Sequence, residues 1–323
     1  MKAAVVTEKG LEVREVAEPS PGPSQVKVRV RAAGLNRADL VVLSGHKHGN
    51  VGGPGTIIGL EFAGDVVEVG RDVHGLAPGD RVMCSGSAGY AEYAVTDWGR
   101  VHKIPANNMS YTTAATLPIA LQTMHDAIVT NGRLKAGESM LIQGASSGVG
   151  LMGLQIAKHM GAGLVIGTSR DAARRARLKD FGADLAIDTS DASWPAAVRA
   201  ATGGKGVDLI VDQVSASVAN QNLDAAAVKG RIVNVGRLGG FKGEFDFDLH
   251  AMKRIDYIGV TFRTRSADEV REINRRMRAD LWPAVEAGKL ALPIDRTFPL
   301  AEAAAALAYT KANSHLGKVV LTV

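Results

Sequence analysis

Over roughly the first hundred residues, apolar and polar positions alternate with a period of two. The segment QVKVRVRAAG at 25–34 shows this pattern most clearly, and FAGDVVEVG at 62–70 and YAEYAVT at 90–96 are similar. Such alternation is typical of strands with one buried face. Proline and glycine separate the strands at 19–23 and 78–80. Sequential strands joined by tight turns predict a barrel-like or sandwich domain.

From about Leu117 onward the pattern changes. Segments of helical length, such as DAARRARLKDFG (171–182) and ASVANQNLDAAAVKG (216–230), now alternate with short apolar runs. These runs are SMLIQ, LVIGT, LAID, VDLIV, RIVNV and YIGVT. Strands that alternate with helices predict βαβ units and a parallel sheet covered on both faces. The last stretch, 300–323, returns to one helix and one strand.

Length and composition narrow the class of protein. At 323 residues the chain exceeds the size at which one core keeps growing, which predicts two domains. No apolar run approaches the roughly 20 residues of a membrane span, so we expect no membrane partner. The single cysteine, Cys84, favours a reducing compartment, and we expect the cytoplasm. The net charge of +5 is spread over many segments, which argues against a nucleic-acid partner and suits a bound polyanionic cofactor.

The sequence GASSGVG at 144–150 follows the first strand of the βαβ region and precedes a helix predicted over 149–159. In that setting a tight turn lets the backbone approach a pyrophosphate, and the helix N-terminus favours negative charge. Against the G-x-G-x-x-G pattern, Ala145 and Ser147 replace the first two glycines, whereas Gly150 fits the third. A turn without a ligand is the alternative, but the strands that follow favour a dinucleotide.

The end of the second strand indicates which dinucleotide. NAD sites usually carry an acidic residue there, but LVIGTSRDAARR has none at the strand end, and Asp171 lies just beyond it. Arg170 and Arg174 are placed to bind a 2′-phosphate, because a guanidinium offers phosphate a fork of donors. The alternative is a solvated basic helix face that includes Arg175 and Arg177. We favour NADPH.

The same turn also fits the G-x-x-x-G-x-G pattern of short-chain dehydrogenases. Those enzymes place the turn near the N-terminus and use a Tyr-x-x-x-Lys pair for proton transfer. Here the turn is in mid-chain, and none of the five tyrosines is followed by lysine four residues later. The sequence therefore excludes that class.

Several segments, in this order, resemble the zinc-independent medium-chain dehydrogenases/reductases of the quinone oxidoreductase (zeta-crystallin-like) family. They are AAGLNRADL, PGTIIGLEFAGDVVEVG, GDRV, GYAEY, GASSGVGLMGLQIAK, VDLIVDQVS, GVTFRTRS and GKVVL. The resemblance implies an α/β protein with a GroES-like β-barrel domain and a Rossmann domain, that is, a doubly wound parallel sheet. We predict a substrate domain at 1–119, an NADP-binding domain at 120–264, and a return to the first domain at 265–323.

Zinc-dependent relatives bind their catalytic metal with Cys, His and a third ligand. Asn36 lies in the segment of the first Cys ligand, and Leu60 occupies the position of the His. Cys84 alone cannot supply the three protein ligands that catalytic zinc needs. His46 and His48 are close in sequence, but a polar loop is the simpler account of them. We predict no metal.

By resemblance, Asn36 and Thr123 line the nicotinamide end of a cleft between the domains. Alternatively, Asn36 braces the turn before the next helix, and Thr123 bonds to its own helix backbone. Some relatives place tyrosines in the substrate pocket where this chain has Val41 and Lys47. His125, close to Thr123, is a further pocket candidate, with a solvent-facing position as the alternative.

The resemblance also implies a cofactor site running from the pyrophosphate through the 2′-phosphate and the adenosine to the nicotinamide. Its predicted residues are Ser146, Ser147, Gly148, Val149, Gly150, Thr168, Ser169, Arg170, Arg174, Val214, Gly236, Arg237, Leu238, Phe262 and Arg263.

We therefore expect an NADPH-dependent reductase of quinones or other α,β-unsaturated carbonyls. One alternative is an alcohol or enoyl-thioester reductase of the same superfamily. Another is a non-enzymatic NADPH-binding or RNA-binding protein. By resemblance we also expect a homodimer, in which the edge strand predicted at 257–261 pairs with its twin.

Overall fold

The computed structural model describes residues 1–44 and 52–323. These residues form two compact units. Unit 1 comprises Met1–Ile119 and Phe262–Val323, and unit 2 comprises Ala120–Thr261. Because unit 1 is built from both ends of the chain, unit 2 is a continuous insertion within it. The predicted return of the chain, at 265, lies three residues after the start of the second segment of unit 1.

The described residues of the first segment of unit 1, 1–44 and 52–119, contain seven strands and two helices. They are β1 (Lys2–Thr7), β2 (Gly10–Glu15), β3 (Gln25–Gly34), α1 (Arg37–Leu43), β4 (Glu61–Val69), β5 (Arg81–Ser85), β6 (Tyr93–Asp97), β7 (Val101–Lys103) and α2 (Tyr111–Ala114). Helix α3 (Pro118–His125) leads into unit 2 and continues as a π-helix over Asp126–Asn131.

Unit 2 alternates strands with helices throughout. The order is β8 (Ser139–Gln143), α4 (Gly148–His159), β9 (Leu164–Thr168), α5 (Ala172–Ala176), β10 (Leu185–Ile187), α6 (Trp194–Ala201), β11 (Val207–Asp212), α7 (Ala219–Ala225), β12 (Ala226–Asn234), α8 (Phe247–Lys253) and β13 (Asp256–Gly259). The return segment of unit 1 contains α9 (Ala267–Glu286), β14 (Ile294–Pro299), α10 (Ala303–Ala312) and β15 (Lys318–Thr322).

In unit 1 the main sheet has the strand order β14-β15-β3-β4-β5-β7, with β6 also paired to β3, while β1 and β2 form a separate hairpin. All pairs are antiparallel except β14 with β15. The alternation predicted for β3 is present, since Val26, Val28 and Val30 are buried and Arg29 is exposed. Strand β15, from the end of the chain, lies between β14 and β3 and pairs with both.

In unit 2 the strand order is β10-β9-β8-β11-β12-β13, and every pair is parallel. Counted from β8, this is the 3-2-1-4-5-6 order of a doubly wound dinucleotide-binding sheet. Met140, Leu141 and Ile142 of β8 have no exposed surface, because helices cover both faces of such a sheet. The predicted fold class is confirmed, as is the edge position of β13.

Two predicted helical segments differ from the structure. The segment 171–182 splits into the short α5 and a 3-10 turn at Leu178–Phe181. The segment 216–230 is helical only to Ala225, and the alanine-rich remainder begins β12. Ala226 pairs with Val207 of β11, so sheet pairing overrides the helix preference of the alanines. Across 1–44 and 52–323, no helix is long and apolar enough to cross a membrane.

Candidate functional site

The glycine-rich turn, residues 144–150, connects the central strand β8 to α4. Gly144 has a φ of +70°, a conformation that glycine adopts without strain. Ser147 is the N-cap of α4, and its Oγ accepts a hydrogen bond from the Gly150 backbone N–H at 3.0 Å. The remaining N–H groups of a first helical turn have no carbonyl partner within the helix. The turn therefore presents donors at the carboxyl edge of the sheet.

Gly150 permits close packing between α4 and this turn. A Cβ at Gly150 would lie 2.7 Å from the Cα and carbonyl oxygen of Ala145, a distance that no side chain tolerates. Gly150 thus has the packing role of the third glycine in the dinucleotide-binding pattern. Farther along the sheet, a Cβ at Gly236 would lie 2.6 Å from the Gln213 carbonyl oxygen, so two glycines keep backbone close to backbone around the turn.

Hydrogen bonds join the turn to the end of the second strand. The Gly144 N–H donates to Thr168 Oγ1 at 3.0 Å, and the Ala145 N–H donates to the Thr168 carbonyl at 2.9 Å. The hydroxyls of Ser169 and Ser146 are 3.1 Å apart. The structure thus brings together the residues predicted for the pyrophosphate and for the 2′-phosphate.

The arginines that follow β9 differ in their surroundings. Arg175 donates to the Ser169 carbonyl at 2.8 Å and pairs with Asp188 at 2.9 Å, so it braces the strand end and is not part of a solvated face. Arg170 is exposed. The Nε of Arg174 is buried and has no hydrogen-bond partner among the described residues. A donor with these properties suits an anionic ligand.

Asp171, just beyond β9, is the N-cap of α5. Its Oδ1 accepts a hydrogen bond from the Arg174 backbone N–H at 2.8 Å, and its Oδ2 lies 3.5 Å from Arg174 Nη2. The backbone hydrogen bond and the nearby guanidinium lower the pKa of the Asp171 carboxyl. Asp171 is therefore an anion beside the predicted 2′-phosphate site.

A buried polar network at the carboxyl ends of β8 and β11 was missed by sequence reasoning. Gln143 accepts from Thr168 Oγ1 at 2.8 Å and donates to Asn222 at 2.8 Å, and Asn222 donates to Asp212 at 3.0 Å. Gln213 accepts from the Ser147 hydroxyl at 3.1 Å. The sequence does contain a signal for this network, because the apolar runs in SMLIQ and VDLIVDQ each end in polar residues.

The predicted residues after β11 and β12 lie close together around Asp212. Its Oδ1 accepts from the Val214 N–H at 2.7 Å, and its backbone carbonyl accepts from the Gly236 N–H at 3.1 Å. Burial raises the pKa of Asp212. Arg237 Nη1 donates to the Val235 carbonyl at 3.1 Å, and Leu238 is exposed.

In unit 1, Asn36 belongs to a buried cluster that we name the Asn36 network: Asn36, Asp39, Glu61, Tyr90 and Lys318. Asn36 Nδ2 donates to Glu61 Oε1 at 2.9 Å, and Asn36 Oδ1 accepts from Lys318 Nζ at 3.0 Å. Lys318 Nζ also lies 2.5 Å from Glu61 Oε1. Both ends of the Asn36 amide therefore contact protein groups, which supports the bracing role.

The other half of the Asn36 network centres on Asp39. Asp39 Oδ2 accepts hydrogen bonds from the Tyr90 hydroxyl at 2.7 Å and from the Asn36 backbone N–H at 2.8 Å. Burial raises the pKa of Asp39 to about 6, although these two hydrogen bonds act in the opposite direction. Burial, together with the charge of Asp39, raises the pKa of Tyr90 well above its ordinary value.

The remaining predicted residues have varied surroundings. Val41 on α1 and Thr123 on α3 are half-buried. His125, the last residue of α3, has no exposed surface, so the solvent-facing alternative is wrong. Lys47, like His46 and His48, lies outside the described residues.

Phe262 and Arg263 fall in the second segment of unit 1, next to its start. The Arg265 guanidinium lies 5.8 Å from the centre of the Phe262 ring.

The described residues offer no candidate metal site. No three His, Cys, Asp or Glu side chains in 1–44 and 52–323 converge as a metal site would require.

Family models match both parts of the chain. The alcohol dehydrogenase GroES-like domain matches residues 22–106, and the zinc-binding dehydrogenase model matches residues 148–278. The chain is 32% identical over 262 residues to quinone oxidoreductase-like protein 2 of Rattus norvegicus, covering 80% of this chain and 74% of that protein.

Similarity also extends to much larger proteins. The chain is 31% identical over 313 residues to highly reducing polyketide synthase 40 of Fusarium pseudograminearum. That match covers 94% of this chain but only 12% of the synthase.

Among solved structures, the mycobacterial protein Rv1454c in complex with NADPH matches with a TM-score of 0.89 and 28% identity, covering 100% of both chains. The folds of the two units and the two family models indicate the same family. The rat relative, matched over 74% of its length, indicates it as well. The chain belongs to the medium-chain dehydrogenases/reductases and is quinone oxidoreductase-like.

Proposed function

We propose that this protein binds NADPH and uses it to reduce quinones or other α,β-unsaturated carbonyls. The observation that carries the proposal is the glycine-rich turn at the carboxyl end of the central strand β8, joined by hydrogen bonds to a second strand end that carries arginines. Ligands of doubly wound sheets bind at this edge, where the strand order reverses.

The residues present fit a phosphorylated dinucleotide. Gly150 lets α4 pack closely against the turn, and the N-terminus of α4, which begins in this turn, favours an anion such as a pyrophosphate. Ser146, Ser147, Gly148 and Val149 would hold it. The exposed Arg170 would hold the 2′-phosphate together with Arg174, whose buried Nε has no hydrogen-bond partner in residues 1–44 and 52–323.

When bound, NADPH supplies a hydride from C4 of its nicotinamide to an electron-poor carbon. This chain's contribution is to orient the cofactor and to exclude water. Thr123 would face the nicotinamide end, with a neutral hydroxyl as donor. Asn36 would keep α1 in place through Glu61 and Lys318, because its amide is already hydrogen-bonded within the protein.

We propose that no catalytic metal takes part. The position of a metal-binding Cys holds Asn36, whose amide contacts Glu61 and Lys318, and the position of a metal-binding His holds Leu60. Neither side chain offers zinc a thiolate or imidazole.

The test is NADPH oxidation with a panel of quinones and enones, run beside NADPH binding by fluorescence titration. We expect turnover of at least one member of the panel, unchanged by a chelator. Protein that binds NADPH but reduces no quinone and no activated alkene would contradict the proposal. Arg174→Gln should weaken NADPH binding. Arg177→Gln is its matched control, because Arg177 is paired with Asp180 beyond the C-terminal end of α5.

An enoyl thioester is a second candidate substrate. It is itself an α,β-unsaturated carbonyl, and the chain matches highly reducing polyketide synthase 40 over 94% of its own length. A crotonyl thioester in the same panel separates the candidates. A kcat/KM at least tenfold above that of every quinone would favour the thioester.

We also propose a homodimer formed through the edge strand β13. An unpaired strand edge invites pairing with another copy, and the surrounding surface exposes Phe241, Phe247 and Tyr257 by 79%, 76% and 37%. Light scattering at micromolar concentration should give twice the chain mass of 33.8 kDa. A monomer would contradict this assembly.

A further inference from the structure

We propose that Asp212 is a positioning residue for the glycine-rich turn, to which a directed series of buried hydrogen bonds connects it. The series runs from Gly144 through Thr168, Gln143 and Asn222 to Asp212, and we name these five residues the Asp212 chain. All five lie in unit 2. The inference rests on the proposed binding of NADPH, because the turn is where the pyrophosphate would bind.

Four hydrogen bonds link the members of the Asp212 chain. The Gly144 N–H donates to Thr168 Oγ1 at 3.0 Å, and the Thr168 hydroxyl donates to Gln143 Oε1 at 2.8 Å. Gln143 Nε2 then donates to Asn222 Oδ1 at 2.8 Å, and Asn222 Nδ2 donates to Asp212 Oδ2 at 3.0 Å. Gln143, Asn222 and Asp212 have no exposed surface, so solvent offers no replacement for a lost partner.

The two ends of the Asp212 chain fix its direction. A backbone N–H can only donate, whereas an ionised carboxylate can only accept. Donors favour the ionised form of Asp212, since its Oδ1 also accepts from the N–H groups of Val214 and Ser215 at 2.7 and 2.9 Å. Every hydroxyl and amide between the two ends therefore donates toward Asp212.

This direction couples the turn to the segment that follows β11. At one end, Thr168 holds Gly144, the turn residue with a φ of +70°. At the other end, Asp212 holds the backbone of Ser215, a non-glycine residue with a φ of +69°. Such a conformation costs energy and persists only where its surroundings impose it. Because buried hydrogen bonds in series polarise one another, the charge of Asp212 strengthens the bond that holds Gly144.

Asp212→Asn puts a surplus donor into the Asp212 chain. Whichever way the amides turn, one buried donor loses its acceptor, which is costly, and one of the two segments held by the chain must move. The swapped pair, Asp212→Asn with Asn222→Asp, restores the balance. The carboxylate introduced at position 222 accepts from Gln143 and from the amide introduced at position 212. The oxygen of that amide still accepts from the backbone N–H groups that Asp212 binds.

Asp208→Asn is the matched control, because it lies at the other end of the same strand. Asp208 Oδ2 accepts from the backbone N–H and the hydroxyl of Ser139 at 2.8 and 2.7 Å. The substitution therefore removes the same charge and perturbs the same sheet at the edge opposite the turn. Gln143→Met interrupts the Asp212 chain without adding a donor, and it tests the proposal if Asp212→Asn does not fold.

The experiment combines fluorescence titration of the full chain with NADPH and with NADH, urea unfolding, and amide hydrogen exchange of the coenzyme-free protein. We expect Asp212→Asn and Gln143→Met to weaken both coenzymes alike, by about tenfold, and to speed hydrogen exchange in the turn. The swapped pair should bind both within about threefold of the wild type. Asp208→Asn should leave both affinities and the exchange of the turn unchanged. A merely structural role would lower the free energy of unfolding without changing coenzyme affinity.

The inference fails if Asp212→Asn and Gln143→Met bind NADPH as the wild type does, or if Asp208→Asn weakens binding equally. It also fails if the swapped pair binds as weakly as Asp212→Asn alone. Wild-type protein that binds neither coenzyme would overturn the proposed function, while hydrogen exchange would still decide whether Asp212 controls the turn. Tight NADPH binding without turnover of any substrate would overturn only the proposed function.

Discussion

The Asn36 network in unit 1 and the glycine-rich turn in unit 2 use polar groups in opposite ways. In the network, Asn36, Glu61 and Lys318 are buried and contact one another, so their hydrogen bonds hold α1, β4 and β15 together. In the turn, small residues bring the backbone close to the sheet edge. Nearby, after β9, the Nε of Arg174 has no hydrogen-bond partner among the residues that the structure describes. The difference teaches that the predicted catalytic asparagine sits in structural machinery, whereas the predicted cofactor turn retains capacity for a ligand.

The largest expected effect comes from breaking the network at its cation. Lys318→Met leaves the fully buried Glu61 without the ammonium group 2.5 Å away. An uncompensated buried charge typically costs about 3–5 kcal/mol in the free energy of unfolding. Urea unfolding followed by circular dichroism measures it.

The control is Lys158→Met, which breaks an exposed pair with Asp184 in unit 2. That change should cost less than about 1 kcal/mol. Similar losses for the two variants would show that the Asn36 network is no more important to stability than a surface ion pair.

The second effect depends on pH. The pKa of Asp39 is raised from 3.8 to about 6 in the folded protein, so between these values the folded state holds a proton that the unfolded state has released. Stability from this group is fully present below pH 3.8 and is lost as pH rises through 6, a change of about 3 kcal/mol. Asp39→Asn has no carboxyl at this position, so its stability should not show this pH dependence.

Urea unfolding at intervals from pH 4 to pH 8 checks this expectation. The stability of Asp39→Asn minus that of the wild type should rise by about 2.4 kcal/mol as pH increases over this range. A constant difference between the two proteins would mean that Asp39 does not titrate in this range.

The smallest effect tests the turn itself. Gly150→Ala puts a Cβ 2.7 Å from the Ala145 backbone, and overpacking of this kind costs about 1–3 kcal/mol. The turn must shift to make room for the new Cβ. NADPH affinity should therefore fall by more than the loss in the free energy of unfolding alone would cause. Fluorescence titration and urea unfolding give the two numbers.

Gly22→Ala is the matched control, because a Cβ there meets only the end of the flexible Gln25 side chain, 3.2 Å away. It should leave both the unfolding free energy and the NADPH affinity close to the wild-type values. If Gly150→Ala destabilised the protein but bound NADPH normally, the turn would be a packing feature without a ligand.

Local patterns predicted the elements whose signal lies within a few neighbouring residues. The alternating segment 25–34 forms strand β3, and the apolar runs SMLIQ and LVIGT form β8 and β9. Such patterns are visible in the sequence because a strand buried on one face alternates apolar and polar residues, and a strand buried on both faces is apolar throughout. The helix predicted over 216–230 was wrong after Ala225, where pairing with β11 decides the conformation.

In the candidate site, too, the residues that could be predicted are those whose partners are close in sequence. The glycine-rich turn and the arginines after β9 could be found because they are contiguous in sequence. The Asn36 network could not, since Glu61 and Lys318 are 257 positions apart and each looks like an isolated charge in an apolar segment. The bracing of Ser169 by Arg175 was missed because its second partner, Asp188, follows another strand.

The position of β15 has a consequence for synthesis. The sheet of unit 1 is complete only when β15 inserts between β14 and β3, and Lys318 reaches Asn36 across 282 positions. Residues 120–261 are contiguous, so we expect unit 2 to be able to form its parallel sheet during synthesis. The sheet of unit 1 lacks β15 until the end of the chain is made, and we therefore expect newly made chains to expose this sheet edge and to need chaperones most at that stage.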